Sequence, residues 1–506
     1  LTITVKEMKI AEINTVAMGI PLIKLMEAAG KSVADTIISN YPIQGNNSIR
    51  VVVLMGRGGN GGDSLVAARY LSSRGYHVEI IPAYREELIN HPDTLENYKI
   101  VKNIPSIIIH KPGDTRPIHQ ADIIIDGLLG TGVRGELRDP IKSLVEESNK
   151  SRAKLRVAID TPTGLNPDTG EIHGTVFKAD ITVTFHDIKP GLLKHPEITG
   201  KIIVANIGIP REALVYTGPG DVMFNLKERP RDAHKGQAGK IMIIGGSRKY
   251  TGAPALAGMA ALAAGADLAF IVAPTSIRGI IASYSPELIT LPYEGEELNE
   301  NNVREVMKYV DELRPHVVVV GPGLGRSEET LKVVREVINT LIKKKIYVVI
   351  DADALKALTL NDNFEKYAVL TPHRGEFKSI TGITLSSDPS RDLDIVIDAA
   401  KKLDAVILLK APIDIVTDGE KYKLNRTGNP YMSIGGTGDV LSGLTASFLA
   451  QTRNPYLAAV IAAYINGLAG DYLLKNNEHV SPVNMIRIIP KILKNPLEYH
   501  IKTYQE

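Results

Sequence analysis

The feature that most constrains this chain is a rhythm that runs through it twice. Short Ile- and Val-rich runs at 51–54, 78–81, 107–109, 123–125, 157–159 and 181–184 alternate with stretches of helical spacing, such as Leu22, Leu25, Met26, Ala29, Val33 and Ile37. Runs this short, apolar throughout and bounded by Gly and Pro, read as parallel strands buried on both faces, because a strand with one wet face would alternate polar and apolar residues. Strands alternating with helices predict an α/β doubly wound sheet. Between Gly208 and Lys235 the rhythm lapses into Pro210, Pro219, Gly220 and the charged run 227–232, with a local helix predicted over 220–224. It then resumes at 241–244, 270–272, 317–320, 348–351, 369–371 and 406–410, and closes with a hairpin whose strands 413–416 and 422–424 turn at Asp418-Gly419. At 506 residues the chain exceeds one ordinary hydrophobic core. The expected architecture is α/β with two domains: a Rossmann-like doubly wound sheet over 1–210 and an α/β sandwich over 235–506, joined by a linker at 211–234.

Composition removes several function classes. With 59 basic and 57 acidic residues the net charge is +2, which offers no broad electrostatic footprint for nucleic acid or a membrane surface. The absence of cysteine excludes disulfides, thiolate nucleophiles and cysteine metal sites together. No basic and apolar leader opens the sequence, so a cytoplasmic protein is expected. Two apolar stretches imitate membrane spans. Residues 253–274 carry Gly258, Gly265 and Asp267 and end in a β-type run, and residues 457–474 are interrupted by Asn466 and Asp471, so both read as core.

In the second half, Gly435-Gly436-Thr437-Gly438-Asp439 stands where an irregular segment gives way to a helical pattern at Val440, Leu441, Leu444, Phe448 and Leu449. Glycines at a helix start let a ligand approach the backbone, and unpaired amides at the positive end of the dipole suit a phosphate. A carboxylate amid those donors repels a phosphate. Its function at a phosphoryl-transfer centre would be to take a proton from an attacking hydroxyl. The competing reading is that Asp439 only caps the helix. Lys410, closing a strand, can neutralise phosphate as a point cation or stand as an ordinary strand-end lysine.

In the first half, the first strand runs into Met55-Gly56-Arg57-Gly58-Gly59-Asn60-Gly61-Gly62-Asp63. Read literally, Gly56, Gly58 and Gly61 form a dinucleotide fingerprint with Glu79 as ribose ligand. Against that stand the interior position of Glu79 in its strand and the carboxylate of Asp63. Two more strand ends carry Asp126 and Asp160, the latter within Asp160-Thr161-Pro162-Thr163-Gly164. The carboxyl ends of parallel strands open on one crevice, so these aspartates and the Asn60 loop should converge there. An oxygen-rich set without cysteine or paired histidine favours a hard cation. Taken singly, each aspartate could equally cap a turn.

Several motifs together resemble known families. The Gly-Gly-Thr-Gly-Asp motif is similar to the anion hole of ribokinase-like sugar and vitamin kinases, whose aspartate is the catalytic base. With residues 250–254, Gly321-Pro322-Gly323-Leu324-Gly325, Asp351-Ala352-Asp353-Ala354-Leu355 and Thr371-Pro372-His373 it resembles the nucleotide-dependent NAD(P)H-hydrate dehydratases of that superfamily. That resemblance implies that Ala253, Gly325, His373 and Asp439 contact the hydrated dinucleotide, that Lys410, Ala411, Pro412, Ile413 and Asp414 with Gly435, Gly436, Thr437 and Gly438 contact the nucleotide, and that Mg²⁺ accompanies it. Residues 1–210 resemble the NAD(P)H-hydrate epimerases. There the resemblance implies a potassium site at Asn60, Asp126 and Thr163, and a substrate site at Gly59, Asn60, Gly61, Gly62, Asp63, Gly130, Thr131, Gly132, Val133, Arg134, Gly135, Glu136 and Asp160, with Asp160 catalytic. The family loop has two asparagines and a glycine after the aspartate, where this chain has Gly59 with Asn60, and Ser64. The implied activity is epimerisation of R and S NADHX and NADPHX at C6 and ADP-dependent dehydration of the S form, in a homo-oligomer. A vitamin or sugar kinase fused to a Rossmann dehydrogenase is the alternative.

Overall fold

The computed structural model describes residues 2–45, 48–130, 135–227, 229–232, 234, 236–386 and 388–506. Contacts divide the chain into two compact units, Leu1–Pro210 and Arg211–Glu506.

The first unit holds a seven-stranded sheet. Its strands are β1 (Arg50–Met55), β2 (His77–Pro82), β3 (Ile107–Ile109), β4 (Ile123–Gly127), β5 (Leu155–Ile159), β6 (Ile181–Phe185) and β7 (Lys201–Ala205). They lie in the order β3-β2-β1-β4-β5-β6-β7, all parallel. The order reverses between β1 and β4, and that switch point is where the loops after two neighbouring strands part and leave a crevice. The sequence reading stopped at β6. β7, an edge strand with Lys201 and Val204 exposed, was left out of that reading although Ile202, Ile203 and Val204 form an apolar run.

The first twenty residues, which carry no strand pattern, contain the helix Val5–Val16, started by a capping box between Thr4 and Glu7. The helix Gly59–Ser73 follows β1 and packs tightly against it. A Cβ on Gly56 would lie 1.8 Å from the Leu128 carbonyl, and one on Gly61 would lie 2.1 Å from the Gly56 carbonyl. These glycines are therefore required by strand–strand and helix–strand approach, whatever the ligand.

The second unit holds nine strands: β8 (Lys240–Ile244), β9 (Leu268–Pro274), β10 (Leu288–Tyr293), β11 (Val317–Val320), β12 (Tyr347–Ile350), β13 (Ala368–Leu370), β14 (Val406–Leu409), β15 (Asp414–Thr417) and β16 (Tyr422–Asn425). The order β10-β9-β8-β11-β12-β13-β14-β15-β16 is parallel up to β14 and antiparallel in the closing hairpin. Successive residues of β8 and β11 go to different cores: Ile241, Ile243, Val317 and Val319 join one face, and Met242, Ile244, Val318 and Val320 the other. Burial on both faces is what the unbroken apolar runs predicted. β10 was not legible because Pro292 interrupts it. As the edge strand it loses no ladder hydrogen bond by carrying a proline.

The segment 211–234, read as a linker, requires correction over 212–226. The helices Glu212–Val215 and Pro219–Asn225 belong to the second unit. The Thr217 amide donates to the Leu424 carbonyl at 2.8 Å, and buried Asp221 pairs with Lys423. A charge run beside prolines resembles a linker, but the ion pair that anchors it lies about two hundred residues away in sequence.

The helix Pro455–Lys475 is apolar and long enough to cross a bilayer, yet 78% of its most apolar window is buried inside the unit, so it is a core helix. Residues 253–274 likewise form the helix Gly252–Ala263 and β9. That helix packs against Thr437–Thr452 so closely that a Cβ on Gly443 would sit 2.1 Å from the Ala257 carbonyl. Gly443→Ala gains up to about 1 kcal/mol of helix propensity. Because a backbone carbonyl cannot rotate away as a side chain can, the overlap should outweigh this, for a net loss of about 1–3 kcal/mol. Urea unfolding checks it, and an unchanged or raised midpoint would show that the two helices separate without cost.

Candidate active sites

The first unit opens a cleft of about 520 Å³ at the carboxyl ends of β1 and β4, lined by Gly59, Asn60, Asp63, Gly130 and Asp160 together with Glu12 and Lys9 of the first helix. Gly61 and Gly62 are buried beneath it, and a Cβ on Gly62 would meet the Met26 sulfur at 2.4 Å. Gly135 and Glu136 are exposed and do not line it. Thr131, Gly132, Val133 and Arg134 lie outside the described residues. Ser64, the departure from the family loop, donates to the Gly61 carbonyl at 2.7 Å and ties the first turn of its helix.

Asp126 is fully buried. Its carboxylate accepts the Thr163 amide and hydroxyl, each at 2.8 Å, and the Leu128 amide at 3.2 Å. Burial nonetheless pushes its pKa up to about 6, and among the described residues no basic side chain offsets that rise. Asn60 donates to the Ile159 carbonyl at 2.8 Å, and its side-chain oxygen packs on Gly130 so closely that a Cβ there would be 2.2 Å away. Asn60, Asp126 and Thr163 thus form an oxygen-rich group around a buried carboxylate that has no counter-ion among the described residues, which fits a monovalent cation.

Asp160 adopts a left-handed backbone, φ 60°. One of its oxygens takes the buried Lys189 ammonium, the Thr184 hydroxyl and the Phe185 amide, and the other makes no hydrogen bond within the described residues. Glu79 is spent elsewhere. Fully buried in β2, it is paired with Arg50 and with His110 at 2.6 Å. Burial alone would raise its pKa, but Arg50 and His110 outweigh that and hold it low. A ribose ligand in that position is excluded, because its oxygens are occupied far inside the strand.

In the second unit a cavity of about 800 Å³ is lined by His373, Lys410, Ala411, Pro412, Asp414, Thr437 and Gly438. Gly436, φ 100°, begins the helix Thr437–Thr452 and supplies no side-chain cap. Gly435 precedes it, open on its Cβ side, and Ile413 is not on the cavity wall. Asp414 is held by the Ala411 amide and Asn425, and burial raises its pKa to about 6. Lys410 donates to Asp351 at 3.0 Å. Burial favours its neutral form, but Asp351, Glu376 and Asp439 overcome that and keep it a cation. His373 caps the helix Arg374–Thr381, its Nδ1 accepting from the Gly375 amide at 3.0 Å, while its Nε2 lies 3.4 Å from the Glu376 carboxylate.

Asp439 makes no capping hydrogen bond, although it lies in the first turn. The capping reading fails for that reason. Burial first, then Asp351 and Asp353, push its pKa up to about 7, against the pull of Lys410. Gly325 donates to Asp353 at 3.1 Å, a Cβ on Gly323 would lie 3.5 Å from Ala253, and neither Ala253 nor Gly325 lines that cavity.

Residues 22–191 match the family described as YjeF-related protein N-terminus, and residues 241–491 match the family NAD(P)H-hydrate dehydratase. The chain is 41% identical to the bifunctional NAD(P)H-hydrate repair enzyme Nnr of Hyperthermus butylicus over 98% of this chain and 93% of that one. The chain belongs to the NAD(P)H-hydrate repair enzyme family. A second such enzyme, from Pyrobaculum aerophilum, is 40% identical over 97% of this chain and 98% of that one. Among solved structures, an ADP/ATP-dependent NAD(P)H-hydrate dehydratase from Bacillus subtilis, co-crystallized with ATP and Mg²⁺, is 26% identical over 55% of this chain and 96% of that one, with a TM-score of 0.46.

Sequence reasoning missed four charged residues in this repair-enzyme chain. Glu12 gave no signal because it sits in an entry helix, and Lys189 because the start of the short helical turn Pro190–Lys194 carries no motif. Glu376 could have been found as the third residue of the His373 capping box, and Asp351 lay in a quoted motif without a role. For Asp439 the sign of the pH effect follows from its raised pKa. The folded state holds the proton more tightly than the unfolded state, so ionisation destabilises the fold increasingly as pH rises from about 4 to about 7. Asp439→Asn should therefore raise unfolding free energy at pH 8 by on the order of a few kcal/mol and leave it unchanged at pH 4. Urea midpoints at the two pH values decide the matter, and equal gains at both would contradict it.

Proposed function

We propose that residues 1–210 interconvert the R and S hydrates of NADH and NADPH at C6, and that residues 211–506 dehydrate the S form with ADP as phosphoryl donor. The observation that carries the second reading is Asp439: a carboxylate at a glycine-rich helix start, unused as a cap, beside the cation Lys410. Family membership supplies the substrate class.

Hydroxide is a poor leaving group, so the C6 hydroxyl must be activated. Asp439 takes its proton as the oxygen attacks the terminal phosphoryl of ADP and AMP departs. The ring nitrogen then expels phosphate, and loss of a proton from C5 restores the dihydronicotinamide. Lys410 and the amides at the start of Thr437–Thr452 neutralise the charge that builds on the phosphoryl oxygens. No group of three or more acidic or histidine side chains that could hold a metal occurs among the described residues. This suits Mg²⁺ arriving as the MgADP co-substrate, since that ion is commonly held by phosphates and water. In the first unit Asn60, Asp126 and Thr163 would hold K⁺, which would neutralise the buried Asp126 and keep the cleft floor rigid. We assign ADP over ATP, a cytoplasmic setting and self-association on family likeness alone.

With S hydrate and MgADP the products should be AMP, phosphate and NADH in equal amounts, and ATP should serve poorly. Asp439→Asn should lower the dehydration rate by about 10²–10⁴ while ADP affinity is retained. Chromatography of the products and calorimetric ADP binding test this. A stable phosphorylated small molecule would establish the kinase alternative, and near wild-type turnover in the variant would remove Asp439 from the chemistry.

Asp126→Ala should abolish potassium stimulation of epimerisation and leave dehydration of pure S hydrate at the wild-type rate. Equal loss of both activities in a folded variant would count against separate sites.

A further inference from the structure

The first-unit cleft contains a carboxylic acid with no hydrogen-bond partner among the described residues. Glu12 lies on the helix Val5–Val16, whose residues Val5, Met8, Lys9 and Glu12 recur at helical spacing and form one wall. Its carboxyl makes no hydrogen bond within the described residues, while Asp160 and Asp63 stand across the same cleft. Asp160 differs from it in kind. Lys189, Thr184 and the Phe185 amide all converge on one Asp160 oxygen and leave the second oxygen without a hydrogen bond among the described residues. Two carboxyl groups sharing a cleft, one with a buried ammonium and one without, have the environments expected of a base and an acid. Consistently, burial and then Asp160 push the Glu12 pKa up to about 7, opposed by Lys189 and Lys9. Asp63 is raised well above its ordinary value by burial, Asp160 and Glu12, but it lies deeper, on the helix behind Asn60.

We propose that Glu12 is a catalytic residue of epimerisation, the proton donor that works opposite Asp160. This rests on the epimerase reading of the first unit. Asp160 takes the proton of the C6 hydroxyl, the C6–N1 bond breaks, and its electron pair goes to N1, which receives the proton of Glu12. The product is an open C6 aldehyde and a neutral enamine nitrogen. After rotation about C5–C6, N1 attacks the other face of the carbonyl, its proton returns to Glu12, and the new oxygen recovers its proton from Asp160. Atoms and charge balance without a further reactant, and both acids end as they began.

The test uses the full chain with purified R hydrate, following R-to-S conversion above the spontaneous rate from pH 5.5 to 8.5. The charged groups facing Glu12 are Asp160, Asp63, Lys189 and Lys9, and Arg57, His91 and Asp93 line the same cleft. Wild type should lose kcat as pH rises through about 7. Glu12→Gln should lower kcat about 10²-fold with little change in KM and should flatten that limb, and Glu12→Asp should recover part of the rate and restore it. An unchanged thermal unfolding profile of the full chain, covering both units, reports that each preparation is folded. Glu12→Gln within threefold of wild type, or a retained alkaline limb in the variant, would overturn the assignment. A wild-type chain with no epimerisation above background would overturn the epimerase reading itself.

Discussion

Parallel pairing of strands buried on both faces is the constraint from which the rest follows. Such strands must be connected by crossovers, so every carboxyl end opens on the same edge of its sheet, and the residues placed there face each other without being near in sequence. In the first unit this brings Asp126 and Asp160 to one crevice with the loop after β1. In the second it brings together Gly321, Asp351, Thr371 and Lys410, where the Thr371 hydroxyl and the Lys410 ammonium both donate to one Asp351 oxygen.

The two units use the same electrostatic device. Each buries an aspartate against one lysine, Asp160 with Lys189 and Asp351 with Lys410, and each sets a second carboxyl beside that pair without a cation of its own, Glu12 and Asp439. Burial first, and then the negative charge of the paired carboxylate, raises the proton affinity of its neighbour. A carboxyl poised near neutrality is suited to exchanging a proton with a hydroxyl or a ring nitrogen, whereas an ordinary surface carboxylate is too weak a base. The buried lysine limits how far that rise goes, so the spacing of three charges sets the working range.

Much of this was legible. The strands, the hairpin at Asp418-Gly419 and the glycine-rich helix start at Asp439 were readable because apolar runs and glycines act locally. Of the edge strands, β10 was not, since the proline at 292 erases the apolar signature in a place that an edge tolerates, and β7 was passed over although Ile202, Ile203 and Val204 form an apolar run. The dinucleotide fingerprint at Gly56, Gly58 and Gly61 shows the opposite failure. The spacing is real, but two of its glycines answer to backbone clearance, and the acid expected to bind ribose is locked to Arg50 and His110.

By itself the sequence determined the fold class, the two-part organisation and the residue types available for chemistry, because periodicity and turn residues act over a few positions. Only the tertiary structure decided which carboxylates are paired and which stand alone. Glu12 is indistinguishable in sequence from the other acids of an entry helix, and Lys189 from any loop lysine. Their roles arise from burial beside Asp160, which lies more than a hundred residues from Glu12 and 29 residues from Lys189.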